Sequence, residues 1–182
     1  MAKRKRANAS KSTSRKTPST IDNLPPGVTL FRTLKGHRTS VRSVVFDPKG
    51  QWLASGSSDR TVKLWEMSSG ELIHTLEGRN DGVQSVAFGL RGRLASGSSD
   101  HTVKLWNIDG CKLVHTLHGH RGEIGNVVFD PQSERLASAS ADGTVRLWAV
   151  SSGKLLRTLE GHQHFVPCVA FDPLGQWIAS GS

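Results

Sequence analysis

Leu53-Ala54-Ser55-Gly56-Ser57-Ser58-Asp59-Arg60-Thr61-Val62-Lys63-Leu64-Trp65 is the stretch on which the reading of this chain turns. It returns at Leu94 to Trp106 with twelve of thirteen positions identical, and at Leu136 to Trp148 with nine of thirteen. A fourth copy opens at Ile178 as Ile-Ala-Ser-Gly-Ser and runs to Ser182. Trp65, Trp106 and Trp148 recur at steps of 41 and 42, while Gly36-His37, Gly78-Arg79, Gly119-His120 and Gly161-His162 recur at 42, 41 and 42. Self-similarity at such a period marks units too small to bury their own apolar face.

Each unit holds four short runs of β-branched and apolar residues divided by turn chemistry. In the first unit the runs are Val41 to Phe46, Trp52 to Ser57, Thr61 to Glu66 and Glu71 to Leu76. The breaks are Asp47-Pro48-Lys49-Gly50, Ser58-Asp59-Arg60 and Met67-Ser68-Ser69-Gly70. No stretch sustains a 3.6-residue apolar period, so helix has little support. The second unit is one residue shorter in Gly89-Leu90-Arg91-Gly92, a turn where a length change costs little. Four strands per repeat predict an all-β propeller built from antiparallel blades.

The combination of Gly-His, Phe-Asp-Pro-x-Gly, Leu-Ala-Ser-Gly-Ser, Asp-x-Thr-Val and Leu-Trp resembles the WD-repeat β-propeller family over roughly residues 29–182. The resemblance implies radial four-stranded blades, each with a hydrogen-bonded tetrad of Trp, Ser, His and turn Asp. Carried over by position, the first blade offers His37, Ser55, Asp59 and Trp65, and the third offers His120, Ser138, Asp142 and Trp148. The second has Ser96, Asp100 and Trp106, but Arg79 stands where the histidine belongs; the fourth has His162 and Ser180 alone. Ser57 shares a strand face with Ser55, so the choice of serine stays open. The Asp that follows Trp in the family is replaced by Glu66, Asn107 and Ala149.

Charge separates the chain into two parts. The net charge is +9 and the pI about 10.2, yet residues 1–20 hold seven basic side chains and no acidic one. The other 162 residues carry 17 basic and 15 acidic groups, which is close to neutral. Residues 1–27 are too poor in apolar groups to offset their ordering entropy, so a disordered basic tail is expected ahead of a propeller arc at 28–182. Lys3, Arg4, Lys5 and Arg6 suit a nuclear-localisation signal or weak phosphate contact. Cys111 and Cys168 make no CxxC pair and no disulfide framework, which predicts a reducing compartment, the cytoplasm or, through the tail, the nucleus. No run of eighteen apolar residues predicts a membrane span.

Ser, His and Asp in every unit invite comparison with a nucleophilic triad. Repetition argues against it, because an active site is needed once, and no Gly-x-Ser-x-Gly elbow is present. The histidines lack cysteine or carboxylate partners at zinc-site spacing, and the glycines mark turns rather than a phosphate loop. The expectation is a module without enzyme activity, metal or cofactor that binds partner proteins through a propeller face; the alternatives are nucleic-acid association through the basic tail and a truncated propeller fragment without function. Its candidate binding residues are those that vary on the constant framework: Ser40, Arg42, Gln84, Glu123 and Phe165 before the first strands, and Arg60 and His101 in the Asp turns.

Counting predicts blades at about 41–77, 83–117 and 124–160 and a half blade at 165–182, with Leu30 to Leu34 resembling a lone outer strand. Three blades and a half cannot close a ring where propellers use at least four. Truncation of a longer protein, or self-association through open blade edges, is therefore expected. Arg79 in place of histidine makes the second blade the softest of the three complete ones. Its amides should exchange with deuterium faster than those of the third blade; the reverse order would refute this.

Overall fold

The computed structural model describes residue 27, residues 29–77 and residues 80–182. The basic cluster Lys3–Arg6, the rest of the tail and Arg79 lie outside them. The chain divides into two compact units, Met1–Leu34 and Lys35–Ser182. In the described part of the first unit Leu30 to Leu34 form no strand, contrary to the outer-strand expectation. The pattern Leu-x-x-Thr-Leu matches the outer strands of the repeats, but a strand exists only by virtue of its ladder.

The second unit is all-β among the described residues. Its first sheet contains β1 (Val41–Phe46), β2 (Trp52–Ser57), β3 (Val62–Glu66) and β4 (Leu72–Leu76). Its second contains β5 (Val83–Gly89), β6 (Arg93–Ser98), β7 (Val103–Asn107) and β8 (Lys112–Leu117). The third holds β9 (Ile124–Phe129), β10 (Arg135–Ser140), β11 (Val145–Ala149) and β12 (Leu155–Leu159); a hairpin of β13 (Cys168–Phe171) and β14 (Ile178–Gly181) follows. Each sheet is an antiparallel meander in chain order. Register places each tryptophan opposite the leucine that opens the repeat: Trp65 with Leu53, Trp106 with Leu94 and Trp148 with Leu136.

The core lies between successive sheets. Ala54, Val62, Leu64 and Leu76 of the first sheet pack against Val83, Val86, Leu94 and Trp106 of the second. Ala95, Val103, Leu105 and Leu117 pack in the same way on Ile124, Val127, Leu136 and Trp148. Ala137, Ala139 and Val145 then meet Val169 of the hairpin and Val166 just ahead of it. The sheets thus follow one another as open blades, and the ring is not closed. The dependence on a neighbour shows at equivalent positions: Val44 is 61% exposed, whereas Val86 and Val127 are 5% and 1% exposed. Covering one such side chain is worth about 1.5–3 kcal/mol.

A second link joins the sheets through their first strands. Ser43 Oγ accepts the Val86 amide at 3.1 Å, Ser85 Oγ accepts the Val127 amide at 3.2 Å, and Asn126 Oδ1 accepts the Val169 amide at 3.2 Å. One polar side chain per sheet therefore satisfies a backbone donor of the next, near the register shifts between Val41 and Ser43 and between Val83 and Ser85.

The second residue of each Ser-x-Ser faces the following sheet and must be small. A Cβ on Gly56 would lie 2.6 Å from Val83 Cγ1, and one on Gly97 would lie 2.5 Å from Ile124 Cγ2. The third sheet holds Ala139 there, fully buried beside the narrower hairpin. Gly97→Ala should therefore destabilise the protein by about 1–3 kcal/mol through overpacking, read as a lower Tm in thermal melts. An unchanged Tm would mean that the second and third sheets separate without cost.

Candidate functional site

The Asp turn between the second and third strands of each sheet gathers the polar groups of the repeat. In the first sheet Trp65 Nε1 donates to Ser55 Oγ at 2.8 Å, Ser55 Oγ meets His37 Nε2 at 2.7 Å, and His37 Nδ1 meets Asp59 Oδ2 at 2.8 Å. The third sheet repeats this with Trp148, Ser138, His120 and Asp142, every distance being 2.8 Å. A carboxylate only accepts, so the Nδ1 proton points to the aspartate and Nε2 takes the serine hydroxyl proton. The chain of donors then runs one way, from serine through histidine to aspartate, while the serine oxygen receives the indole N–H.

The second sheet holds Trp106 Nε1 to Ser96 Oγ at 2.9 Å, and the Ser96 hydroxyl donates to the Lys104 carbonyl at 3.5 Å. Asp100 accepts the Asn80 amide there at 3.2 Å. In the hairpin His162 Nε2 lies 2.9 Å from Ser180 Oγ, in an exposed setting.

The two serines of each repeat divide the work. Ser57, Ser98 and Ser140 accept the amide of the turn aspartate at 3.1, 3.2 and 3.1 Å. Each donates to the loop before the first strand, at Thr39, Asp81 and Gly122. The threonine after the turn escaped sequence reasoning. Thr61, Thr102 and Thr144 hydroxyls donate to the aspartate Oδ1 at 2.6, 2.6 and 2.7 Å. Its presence in every Asp-x-Thr was the available signal.

These contacts bring the variable residues to one end of the sheets. The Ser58 amide donates to Ser40 O, Ser99 to Gly82 O, and Ala141 to Glu123 O. Arg42 Nε donates to Ser58 Oγ at 3.0 Å. Gln84 Nε2 donates to Ser99 Oγ at 2.8 Å, and Ser99 Oγ to Glu123 Oε2 at 3.2 Å, which bridges the second and third sheets. Phe165 lies over Gly125, where a Cβ would stand 2.6 Å from the ring. Arg60 and His101 occupy the tips of their turns at φ 70° and 66°, and Gly143 holds the same place at 80°. Among the described residues no group of three His, Cys, Asp or Glu side chains could hold a metal ion, and no helix is long and apolar enough to cross a membrane.

The model of the WD domain, G-beta repeat family matches residues 28–66, 70–107, 111–149 and 153–182. Similar curated proteins include a ribosome biogenesis protein BOP1 homolog of Drosophila virilis, 45% identical over 73 residues, which are 40% of this chain and 9% of that protein. A BOP1 homolog of Dictyostelium discoideum is 51% identical over 53 residues, covering 29% of this chain and 6% of its own length. Dynein assembly factor with WD repeat domains 1 of Danio rerio is 44% identical over 59 residues, covering 32% and 14%. The chain thus spans only 6–14% of these relatives. Among solved structures, that of U3-55K superposes with a TM-score of 0.74 at 28% identity, covering 76% of this chain and 44% of that one.

Burial sets the electrostatics of the tetrads. Burial opposes ionisation of Asp59, but hydrogen bonds from Thr61, the Arg38 amide and His37 outweigh it and hold the carboxyl far below its usual range. Asp142 is held low in the same way by Thr144, the Arg121 amide and His120. Burial also lowers the pKa of His120 below 6.5, against the pull of Asp142 and with help from Arg146. In this depressed case the unfolded chain binds the histidine proton more readily than the folded one. Stability from His120 is therefore complete above about pH 6.5 and lost as the pH falls below it; the aspartates add a further loss below about pH 4. An NMR titration of the His120 ring should give a midpoint below 6.5. A midpoint above that value would show that the Asp142 charge outweighs burial.

Proposed function

Because the chain belongs to the WD domain, G-beta repeat family, we propose that it is a non-enzymatic interaction module that holds partner proteins on the end of the sheets bearing the Asp turns. The observation that carries this reading is the convergence of the residues that differ between repeats. Hydrogen bonds within the framework fix Ser40, Arg42, Gln84 and Glu123 beside the turn tips Arg60 and His101, with Phe165 next in line. A constant scaffold that presents non-repeating side chains on one face has the form of a recognition surface. The relatives named for ribosome biogenesis and dynein assembly support a role in assembling other proteins.

The tetrads are the frame, not a catalytic centre. Their serines are buried, Ser55 at 4% and Ser138 at 0% exposure, and each oxygen already receives an indole N–H, so a substrate has no path to it. The second reading is nucleic-acid association, favoured by the seven cations of residues 1–20. The compartment read from two cysteines outside any disulfide is reducing, whether cytoplasmic or, through Lys3–Arg6, nuclear.

Affinity capture with quantitative mass spectrometry separates the two readings. Partners should survive deletion of residues 1–20 and be lost in a variant combining Gln84→Ala, Glu123→Ala and Phe165→Ala. Binding that is salt-sensitive and disappears with the tail would favour nucleic acid instead.

A further inference from the structure

The variable end is not electrically uniform. Arg38, Arg42 and Arg60 all converge on the Ser58-Asp59-Arg60 turn of the first sheet. The Arg38 amide donates to Asp59 Oδ2 at 2.9 Å, the Arg42 guanidinium is fixed to Ser58 Oγ at 3.0 Å, and Arg60 forms the tip. All three residues are exposed. The only carboxylate within the turn, Asp59, is committed to His37, Thr61 and the Arg38 amide.

A hollow of about 340 Å³ opens beside this turn, lined by eight residues that include the cations Arg38, Arg60 and Lys63 and two carboxylates, Glu77 and the already engaged Asp59. Lys63, largely buried, reaches its wall and donates to Thr75 Oγ1 at 3.0 Å. The positive charge therefore runs from Arg42 on β1, across the turn, to Lys63 on β3. It thins along the chain: Arg42 is matched by Gln84, Gly125 and Pro167, and Arg60 by His101 and Gly143. Arg60 also sits at φ 70°, a conformation that glycine takes freely and that the third sheet fills with Gly143 at φ 80°. An exposed arginine is kept where backbone geometry prefers glycine.

We propose that this strip is the docking site for an acidic segment of a partner protein, an inference that rests on the interaction-module reading and names the chemistry of its partner. Arg38 and Arg60 flank the hollow that receives one carboxylate or phosphorylated side chain, and Arg42 takes the next along an extended chain. Protein is favoured over nucleic acid. The strip spans one turn rather than a long phosphate track, and none of the eight residues lining the hollow is aromatic, so no base can stack there.

The test uses the full chain and a hexaglutamate peptide tipped with photoreactive benzoylphenylalanine, with adducts mapped by mass spectrometry. Adducts should appear within residues 36–63 and fall at least about tenfold in Arg38→Glu and in Arg60→Glu. Arg91→Glu, in the turn between β5 and β6 at the opposite strand ends, should leave them unchanged. Arg60→Gly relieves the turn and must fold, so loss of labelling in that variant cannot be ascribed to unfolding. Adducts confined to residues 1–20, labelling indifferent to Arg38 and Arg60, or displacement by a decauridine oligonucleotide better than by free hexaglutamate would each overturn the proposal. Partner capture that still depends on Gln84, Glu123 and Phe165 while the peptide fails to label the strip would reject this inference alone and leave the module reading standing.

Discussion

A four-stranded sheet that is apolar on both faces cannot stand alone in water, and the rest of this protein follows from that constraint. Val62 and Leu64 look forward to the next sheet while Trp106 and Leu94 look back to the previous one, so each interface is built from two different sets of side chains. The inner residues must be small where sheets approach most closely, which places Gly56 and Gly97 under the β-branched Val83 and Ile124. Polar groups gather toward the ends of the sheets that carry the Asp turns. There the tetrads and the second serines tie each Asp turn to the loop that leads into the first strand.

This arrangement separates the repeated residues from those that vary. The repeated residues satisfy one another, so the residues that differ between copies are left to face outward without weakening the frame. Glu123 is a case in point: its carbonyl accepts the Ala141 amide, while its carboxylate is aimed across to Ser99 of the preceding sheet. A side chain there can change while the backbone contact is retained. The same holds for Arg42, whose carbon stem lies on β1 and whose head reaches Ser58.

Much of the architecture was written in local chemistry. Asp47-Pro48-Lys49-Gly50 is legible as a turn because its aspartate accepts the amides of Lys49 and Trp52 and Gly50 takes φ 68°. Strand identity followed from alternation between such turns. Other features depend on how sheets meet, and sequence alone does not show that. Ser43, Ser85 and Asn126 share a role but not a residue type, so repetition concealed them. Ser55 and Ser57 point the same way along one strand, and only the position of His37 tells them apart. Leu30 to Leu34 carries the outer-strand pattern, yet pattern without a ladder forms no strand.

The hydrogen bonds from one first strand to the next have a direction. Each unit offers a side-chain acceptor forward and a backbone donor backward, and the apolar faces are handed in the same sense. A segment of 41 or 42 residues copied in frame therefore carries both halves of its own junction. A copy of the second unit set directly after the original keeps a glycine beneath the β-branched residue that follows, so the new boundary matches the old one. In-frame duplication of such a segment would add a unit that arrives with its junction already matched, and Leu53–Trp65 and Leu94–Trp106 differ at one position in thirteen, as copying of that kind would leave them.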